Sequence, residues 1–153
     1  MKPETILLAA KVWHNILAEA QATAHAEPVM EDYLKSTIMN HSNLGSALSF
    51  HLSQKLASTS FPAMMLRDIM DDAFKDPTIV EQAARDIQAT VDRDSACKLY
   101  SSPFLYFKGF LSLQAYRLAH QLWNQGRTSL ALLLQHRISM TFAVDIPGSE
   151  TDP

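Results

Sequence analysis

The sequence predicts an all-α domain of about seven helices, with one short strand near the C-terminus. Apolar residues recur with the period of an α-helix along nearly the whole chain of 153 residues. Glycine occurs only four times, which is too seldom for the tight turns of a many-stranded β-protein and too scattered for a phosphate-binding loop. A content of 47% hydrophobic and 19% charged residues is typical of a single folded domain of this length.

The first three helices are predicted from apolar spacing and from the residues that begin helices. The first helix places apolar residues three and four positions apart between Ile6 and Ala20. Pro28 is suited to the first turn of a second helix that extends to about Asn40. Ser42 or Asn43 is expected to cap a third helix. Its inner face is predicted to consist of Leu44, Ala47, Leu48, His51, Leu52 and Leu56.

Four further helices follow, each marked by a capping residue or a proline. The fourth follows Pro62 and leads to Phe74, and the fifth has Asp76 as N-cap and Pro77 in its first turn. The sixth is predicted to open at 101–103 and to run unbroken through Trp123, with Gly126 as a left-handed residue behind it. We expect Thr128 to cap the seventh helix, which ends at about Thr141; residues 142–146 alternate as a strand would.

Charge and cysteine content suggest where the protein works. The formal net charge of −3 argues against nucleic acid or an anionic membrane as a partner. A single cysteine, no signal sequence and no long apolar stretch lead us to expect a cytoplasmic protein. Between residues 95 and 144 all the charged groups are basic, and they either complement the acidic half of the chain or form an anion site. They are Lys98, Lys108, Arg117, Arg127 and Arg137.

The residues suited to chemistry are few. The six histidines are scattered singly and Cys97 has no partner cysteine, so we expect no metal site. The segment Asp92-Arg93-Asp94 stands at a helix end. It is either a capping and ion-pair cluster or a carboxylate offered to a ligand that carries an ammonium group. Cys97 is interpreted as structural, because a nearby Asp94 carboxylate would raise the pKa of its thiol.

Aromatic residues are concentrated in the predicted sixth helix, between Tyr100 and Trp123. Phe104 and Phe107 share one predicted face, and Tyr106 and Phe110 share another. A helix with two apolar faces is either the central helix of a bundle or a core helix that also faces a partner subunit.

Motifs along most of the chain resemble those of one family, the serine O-acetyltransferases. The resemblance is to the N-terminal helical domain of that family and extends from about Ile6 to Ile146. The matching segments, in chain order, are Asn43-Leu44-Gly45-Ser46-Ala47-Leu48-Ser49, Arg93-Asp94, Leu105-Tyr106-Phe107-Lys108-Gly109-Phe110, Leu113-Gln114-Ala115-Tyr116-Arg117, Leu122-Trp123-Asn124-Gln125-Gly126-Arg127 and Val144-Asp145-Ile146.

The resemblance implies a two-part enzyme in which this domain mediates assembly, typically into a hexamer of two trimers. A β-helix of hexapeptide repeats follows it in the family and binds acetyl-CoA, the co-substrate, and the acetyl group passes to the hydroxyl of L-serine in the first step of cysteine biosynthesis. Asp94, with Arg93 beside it, matches the family site that reaches across to the substrate amino group. Asp145 matches the aspartate that orients the catalytic histidine.

Two departures from the family pattern matter. Ser95 stands where the family usually has proline after the matching aspartate. Pro147 stands where the family has the catalytic histidine after Val-Asp-Ile, and the acetyl-CoA repeats have no counterpart before the sequence stops at Pro153. We therefore expect a helical assembly domain at 1–143, followed at 144–153 by the truncated start of the β-helix and a polar tail.

These departures leave alternatives for the function. The chain is expected to bind no cofactor itself, to be inactive alone, and to self-associate through its helices, as a dimer or with full-length subunits. Contact with cysteine synthase is not expected, because the family's C-terminal tail has no counterpart. The alternatives are an active acetyltransferase whose activity comes from a remainder of the protein outside this sequence or from assembly with intact subunits, or an unrelated helical ligand-binding protein.

Overall fold

The chain folds into a helical bundle around one contiguous apolar core, as the sequence predicts. The computed structural model describes the backbone of residues 3–142 and the side chains of residues 8–142. Within that range there is no strand, and the α-helices number eight. They are α1 (Pro3–Ala26), α2 (Glu31–Leu34), α3 (Leu44–Leu56), α4 (Ala63–Ala73), α5 (Pro77–Arg93), α6 (Ser101–Tyr106), α7 (Lys108–Asn124) and α8 (Thr128–Phe142).

The helix boundaries follow the predicted signals in most places. Asn43 caps α3 by accepting a hydrogen bond from the amide of Ser46 at 2.9 Å, and all six predicted inner-face residues of α3 are buried. The carboxylate of Asp76 accepts from the amide of Thr78 at 2.9 Å, with Pro77 in the first turn of α5. Gly126 adopts a left-handed φ of 79° between α7 and α8. These three signals are local, which is why the sequence suffices to read them.

The second predicted helix is irregular. A 3-10 turn at Pro28–Met30 precedes α2, and a π-helical turn at Lys35–Met39 follows it. Helix α1 ends at Ala26, shortly before Pro28, where the sequence predicts the interruption. Thr128 is the first residue of α8 rather than its cap.

The sixth predicted helix is the main correction, because it is two helices that are separated at Phe107. Phe107 has extended backbone angles, φ −82° and ψ 106°. The carbonyl of Leu105 accepts a hydrogen bond from Nε2 of His51 at 3.1 Å. In an unbroken α-helix this carbonyl would accept from the amide of Gly109. The break therefore accompanies a tertiary hydrogen bond that the local sequence does not indicate.

Helix α7 is the central helix, and it also keeps an exposed stripe. It packs against α4, α5, α6 and α8, and it buries Leu111 and Leu118 completely. Leu113, Tyr116 and Trp123 lie on another side and are each nearly half exposed. The buried side agrees with the prediction of a core helix, and a partner subunit against the exposed stripe stays a prediction.

The C-terminal predictions fall largely outside the described residues. Phe142, placed in a strand by its sequence pattern, is instead the last residue of α8. Residues 143–153, which include the rest of that strand and Asp145, are not described. None of the helices between residues 3 and 142 has the length and apolar character that a membrane span requires.

Candidate functional site at the end of helix α5

Asp94 is held rigidly where α5 ends. Its amide donates to the carbonyl of Thr90 at 3.0 Å, and its own carbonyl accepts from the amide of Cys97 at 2.9 Å. Its carboxylate oxygen Oδ1 accepts from the amide of Ala96 at 2.9 Å. The second oxygen, Oδ2, has no hydrogen-bond partner in the described part of the chain, and the residue is exposed. One carboxylate oxygen is therefore fixed, and the other is available to a ligand.

Arg93 lies next to Asp94, and its side chain is also available. The guanidinium is exposed and forms no salt bridge within residues 8–142, not even with either flanking aspartate. The neighbouring Asp92 accepts instead from Nε2 of Gln88 at 2.9 Å. Arg93 therefore forms no ion pair with Asp92 or Asp94. Asp94 does take the capping position at the end of α5, and its side chain accepts a hydrogen bond from the loop.

Both residues line an open cleft of about 650 Å³ between α5 and α7. From α5 and its exit, Thr90, Arg93 and Asp94 contribute to one wall. From α7, Gly109 and Leu113 contribute to the other. Arg93 and Asp94 on the first wall are identifiable from the sequence. The α7 wall is not, because the break between α6 and α7 that positions it has no local sequence signal.

A partly buried polar network includes Asp86, which also lines the cleft. Gln114 is 1% exposed and donates from Nε2 to Oδ2 of Asp86 at 2.9 Å. Arg117 donates from Nη1 to Oε1 of Gln114 at 2.8 Å and also forms a salt bridge with Asp86. Arg117 is thus compensated by the acidic half of the chain, which was one of the two interpretations of the basic residues. The sequence signal for this network is Gln114, a polar residue in the middle of an otherwise apolar face of α7.

The loop that leaves Asp94 is anchored to α1. The carboxylate of Glu19 accepts from the amides of Tyr100 at 3.1 Å and Ser101 at 2.8 Å. The phenol of Tyr100 donates to Gln88 at 3.1 Å. The loop is therefore held at both ends, by the backbone hydrogen bonds of Asp94 and by the carboxylate of Glu19.

Cys97 is structural, as predicted. It is buried, and its thiol contacts the carbonyl of Leu99 at 3.4 Å. Burial, and to a smaller degree the carboxylate of Asp94, raises the pKa of the thiol. A raised pKa leaves little thiolate at neutral pH, so the residue is poorly suited to nucleophilic chemistry.

The described residues bring together no cluster of three or more histidine, cysteine or acidic side chains that is suited to a metal ion. The cleft at the end of α5 also has no histidine among its described lining residues. The charged side chains among the described lining residues are those of Asp86, Arg93 and Asp94.

The comparisons with known proteins agree on one family. The family model described as "Serine acetyltransferase, N-terminal" matches residues 12–115. The serine acetyltransferase of Escherichia coli K12 is 50% identical over 136 residues, which cover 88% of this chain and 50% of the relative. The chain thus spans about half the length of this relative.

Solved structures give the same result for the fold. A soybean serine acetyltransferase complexed with serine is 46% identical with a TM-score of 0.85, and the match covers 91% of this chain and 58% of that one. A serine acetyltransferase complex with CoA is 48% identical with a TM-score of 0.87, covering 88% and 58%. On this evidence the chain belongs to the serine acetyltransferase family and corresponds to its N-terminal helical domain.

Proposed function

We propose that the chain serves as the assembly domain of a serine O-acetyltransferase and supplies Asp94, with Arg93, to the amino-acid site of a neighbouring subunit. One observation carries the proposal: the Asp94 carboxylate, at the position that the family uses for the substrate amino group, is fixed through one oxygen and free at the other. The sequence around Asp94 is part of a match that is 50% identical over 136 residues to the E. coli enzyme, and this match supports the assignment of Asp94 to the family position.

The chemistry of the pair suits a zwitterionic amino acid. A carboxylate oxygen accepts charge-assisted hydrogen bonds from an ammonium group, and a guanidinium donates two parallel bonds to a carboxylate. L-Serine presents both groups, and the soybean relative was solved with serine. Asp94 therefore recognises the ammonium group of the substrate and Arg93 its carboxylate. Other residues have to bind and activate the hydroxyl that accepts the acetyl group.

The transfer step requires a general base, for which the family uses a histidine, and no described residue that lines the Asp94 cleft is a histidine. A general base has to lie within hydrogen-bond reach of the serine hydroxyl. His51 is buried, and its Nε2 is occupied by the carbonyl of Leu105, so it cannot serve. We infer that acetyl-CoA, the co-substrate of the family, binds to the catalytic half that the resemblance implies, and one solved relative is a complex with CoA. Asp145 matches the aspartate that orients the catalytic histidine in the family, and Pro147 stands at the position of that histidine in this chain.

Complementation between subunits tests the role of Asp94. Full-length E. coli serine acetyltransferase, with its own matching aspartate changed to asparagine, is mixed with this chain and assayed for serine KM. Because a charge-assisted hydrogen bond contributes about 1.5–3 kcal/mol, the wild-type chain should lower the KM roughly tenfold relative to the Asp94→Asn chain. Asp92→Asn is the matched control, because it removes the same charge two residues away and should rescue as well as wild type. Equal rescue by wild type and Asp94→Asn would refute the role.

A second experiment tests assembly and inactivity. Light scattering and native mass spectrometry of the purified chain should show self-association at tens of micromolar concentration, with the dimer as the main species. Release of CoA from acetyl-CoA in the presence of serine should stay at the background rate. A monomer alone would refute the assembly role, and CoA release that is lost in Asp94→Ala would show that the chain is catalytic by itself.

A further inference from the structure

Ser46 and His41 form a hydrogen-bonded pair that has no part in the proposed function. The hydroxyl oxygen of Ser46 lies 3.0 Å from Nδ1 of His41. The other ring nitrogen, Nε2, lies 2.8 Å from the backbone carbonyl oxygen of Ser36. His41 follows the π-helical turn at Lys35–Met39, Ser46 lies in the first turn of α3, and both side chains are partly exposed.

The carbonyl of Ser36 fixes the direction of both hydrogen bonds. A carbonyl oxygen can only accept, so Nε2 of His41 has to carry the hydrogen and donate it. In a neutral imidazole the other nitrogen, Nδ1, is then an acceptor, and the hydroxyl of Ser46 donates to it. The hydroxyl of Ser46 is therefore bonded to a base whose tautomer is held by a backbone group. An activated nucleophile needs this relation, in which a third group orients the base.

Ser46 lies where two clefts adjoin. One cleft, of about 570 Å³, has an apolar part that includes Phe74 and Val80. The other, of about 430 Å³, is lined by polar side chains that include His41. Ser46 and Arg67 line both clefts. A molecule that reaches Ser46 therefore meets an apolar surface on one side, and a base and a positive charge on the other.

Phe50 positions Arg67 and His41 near each other. The guanidinium carbon of Arg67 lies 5.3 Å from the centroid of the Phe50 ring, and the centroid of the His41 ring lies at the same distance. Nε of Arg67 pairs with the carboxylate of Asp71 at 3.6 Å. The Nη groups of Arg67 have no hydrogen-bond partner among the described residues. They are available to an oxygen atom on which negative charge develops.

We propose that Ser46 is a nucleophile that accepts an acyl group from an activated ester, with His41 as its general base. As the Ser46 oxygen bonds to the acyl carbon, Nδ1 of His41 takes the hydroxyl proton, and Arg67 stabilises the negative charge on the acyl oxygen. The bond to the leaving alcohol then breaks, and the alcohol oxygen receives the proton from Nδ1. One ester and one hydroxyl are consumed, and the products are the Ser46 ester and the free alcohol.

The two clefts indicate which esters suit the site. The apolar part of the larger cleft suits a short alkyl chain on the acyl group. The polar cleft accommodates the carbonyl oxygen beside Arg67. The reaction uses neither Asp94 nor the cleft between α5 and α7, so it is independent of the proposed function, and either can fail without the other.

A fluorophosphonate bearing biotin tests the nucleophile, because its phosphorus takes the place of the acyl carbon and fluoride leaves. The full chain is incubated with the probe, and mass spectrometry of the digest locates the adduct. The adduct should lie on Ser46. Ser112 in α7, whose hydroxyl donates to the carbonyl of Gly109 at 3.2 Å, is the internal control and should stay unmodified. Urea should abolish the labelling, because the pair exists only in the folded chain.

His41→Gln tests the base, since glutamine keeps a donor for the carbonyl of Ser36 but takes no proton. Labelling of Ser46 should be about a hundredfold slower in this variant, as expected for loss of a general base. His120→Gln, at an exposed position of α7, is the matched control and should label like wild type. No adduct on Ser46 of the wild-type chain, labelling of Ser112 to the same extent, or an equal rate in His41→Gln would overturn the proposal.

p-Nitrophenyl butyrate tests acyl transfer itself. The wild-type chain should gain one butyryl group on Ser46 and release nitrophenolate at least roughly tenfold faster than Ser46→Ala. Arg67→Gln should slow the release at least about tenfold, because it removes the charge beside the acyl oxygen. Equal release by wild type and Ser46→Ala, or a butyryl group found only on other residues, would refute acyl transfer to Ser46. Undiminished release in Arg67→Gln would refute the part assigned to Arg67.

Discussion

The carboxylate of Glu19 accepts a hydrogen bond from the amide of Ser101 at 2.8 Å, across 82 positions of the chain. Its other oxygen accepts from the amide of Tyr100 at 3.1 Å. Amides at the start of a helix lack intrahelical partners, and negative charge is favourable there. One side chain of α1 therefore caps α6 and fixes the far end of the loop that begins at Asp94.

Glu19→Ala should lower the free energy of unfolding by about 2 kcal/mol, because two amides lose a charged acceptor. Glu19→Gln keeps one acceptor oxygen and should cost about half as much. Urea denaturation followed by circular dichroism measures both. Glu31→Gln is the control, since its ion pair with Lys35 is exposed and contributes little to stability. A Glu19→Ala chain as stable as wild type would show that solvent replaces the cap at no cost.

His51 should make the fold sensitive to acid. Burial lowers the pKa of His51 to about 4, against an ordinary value of 6.5 in the unfolded chain. Between these two values the unfolded state binds a proton that the folded state does not, so stability falls as the pH is lowered through this range. From pH 7 to pH 5 the loss should be about 2 kcal/mol for this residue.

His51→Gln tests that loss, because glutamine keeps an N–H donor for the carbonyl of Leu105 but does not titrate. The difference between the urea midpoints at pH 7 and pH 5 should be smaller in this variant than in wild type. His136→Gln, at an exposed position of α8, should keep the wild-type difference. The attribution to His51 is wrong if its variant loses as much stability between the two pH values as wild type does.

The same histidine shows where the sequence stops predicting the structure. Asp76, Asn43 and Gly126 act through neighbours within a few residues, so local patterns suffice for them. The break at Phe107 coincides with the hydrogen bond from His51 to Leu105, 54 positions apart. A contact of that range is set by how α3 meets α6, and no local pattern encodes it.

The candidate site also contains residues that the sequence identifies and residues that it does not. Arg93 and Asp94 were identifiable because they stand together at a helix end. The α7 wall was not, because Gly109 reaches the cleft only once α6 and α7 separate. Glu19 was also missed as an anchor, because its partners are backbone amides, which have no sequence signature.

Arg137 should stabilise the C-terminal end of α3. It donates from Nε to the carbonyl of Leu56 at 2.8 Å and from Nη2 to that of Ala57 at 3.2 Å. The last carbonyls of a helix lack amide partners and carry partial negative charge. Arg137→Ala should lower the free energy of unfolding by about 1–3 kcal/mol, and Arg137→Lys by less. Arg127→Ala, at an exposed residue before α8, should change it by no more than about 0.5 kcal/mol in the same urea experiment. Similar effects at both arginines would argue against the cap.

Gly126 and Gly109 should respond oppositely to alanine. Gly126 connects α7 to α8 at a φ of 79°, where a Cβ atom strains the backbone, so Gly126→Ala should destabilise the fold by about 1 kcal/mol. Gly109 has ordinary helical φ and open space, so Gly109→Ala should stabilise α7 by up to about 1 kcal/mol. Thermal and urea unfolding of the two variants measure the difference directly. If Gly109→Ala destabilises the isolated chain, glycine is needed within the helix itself.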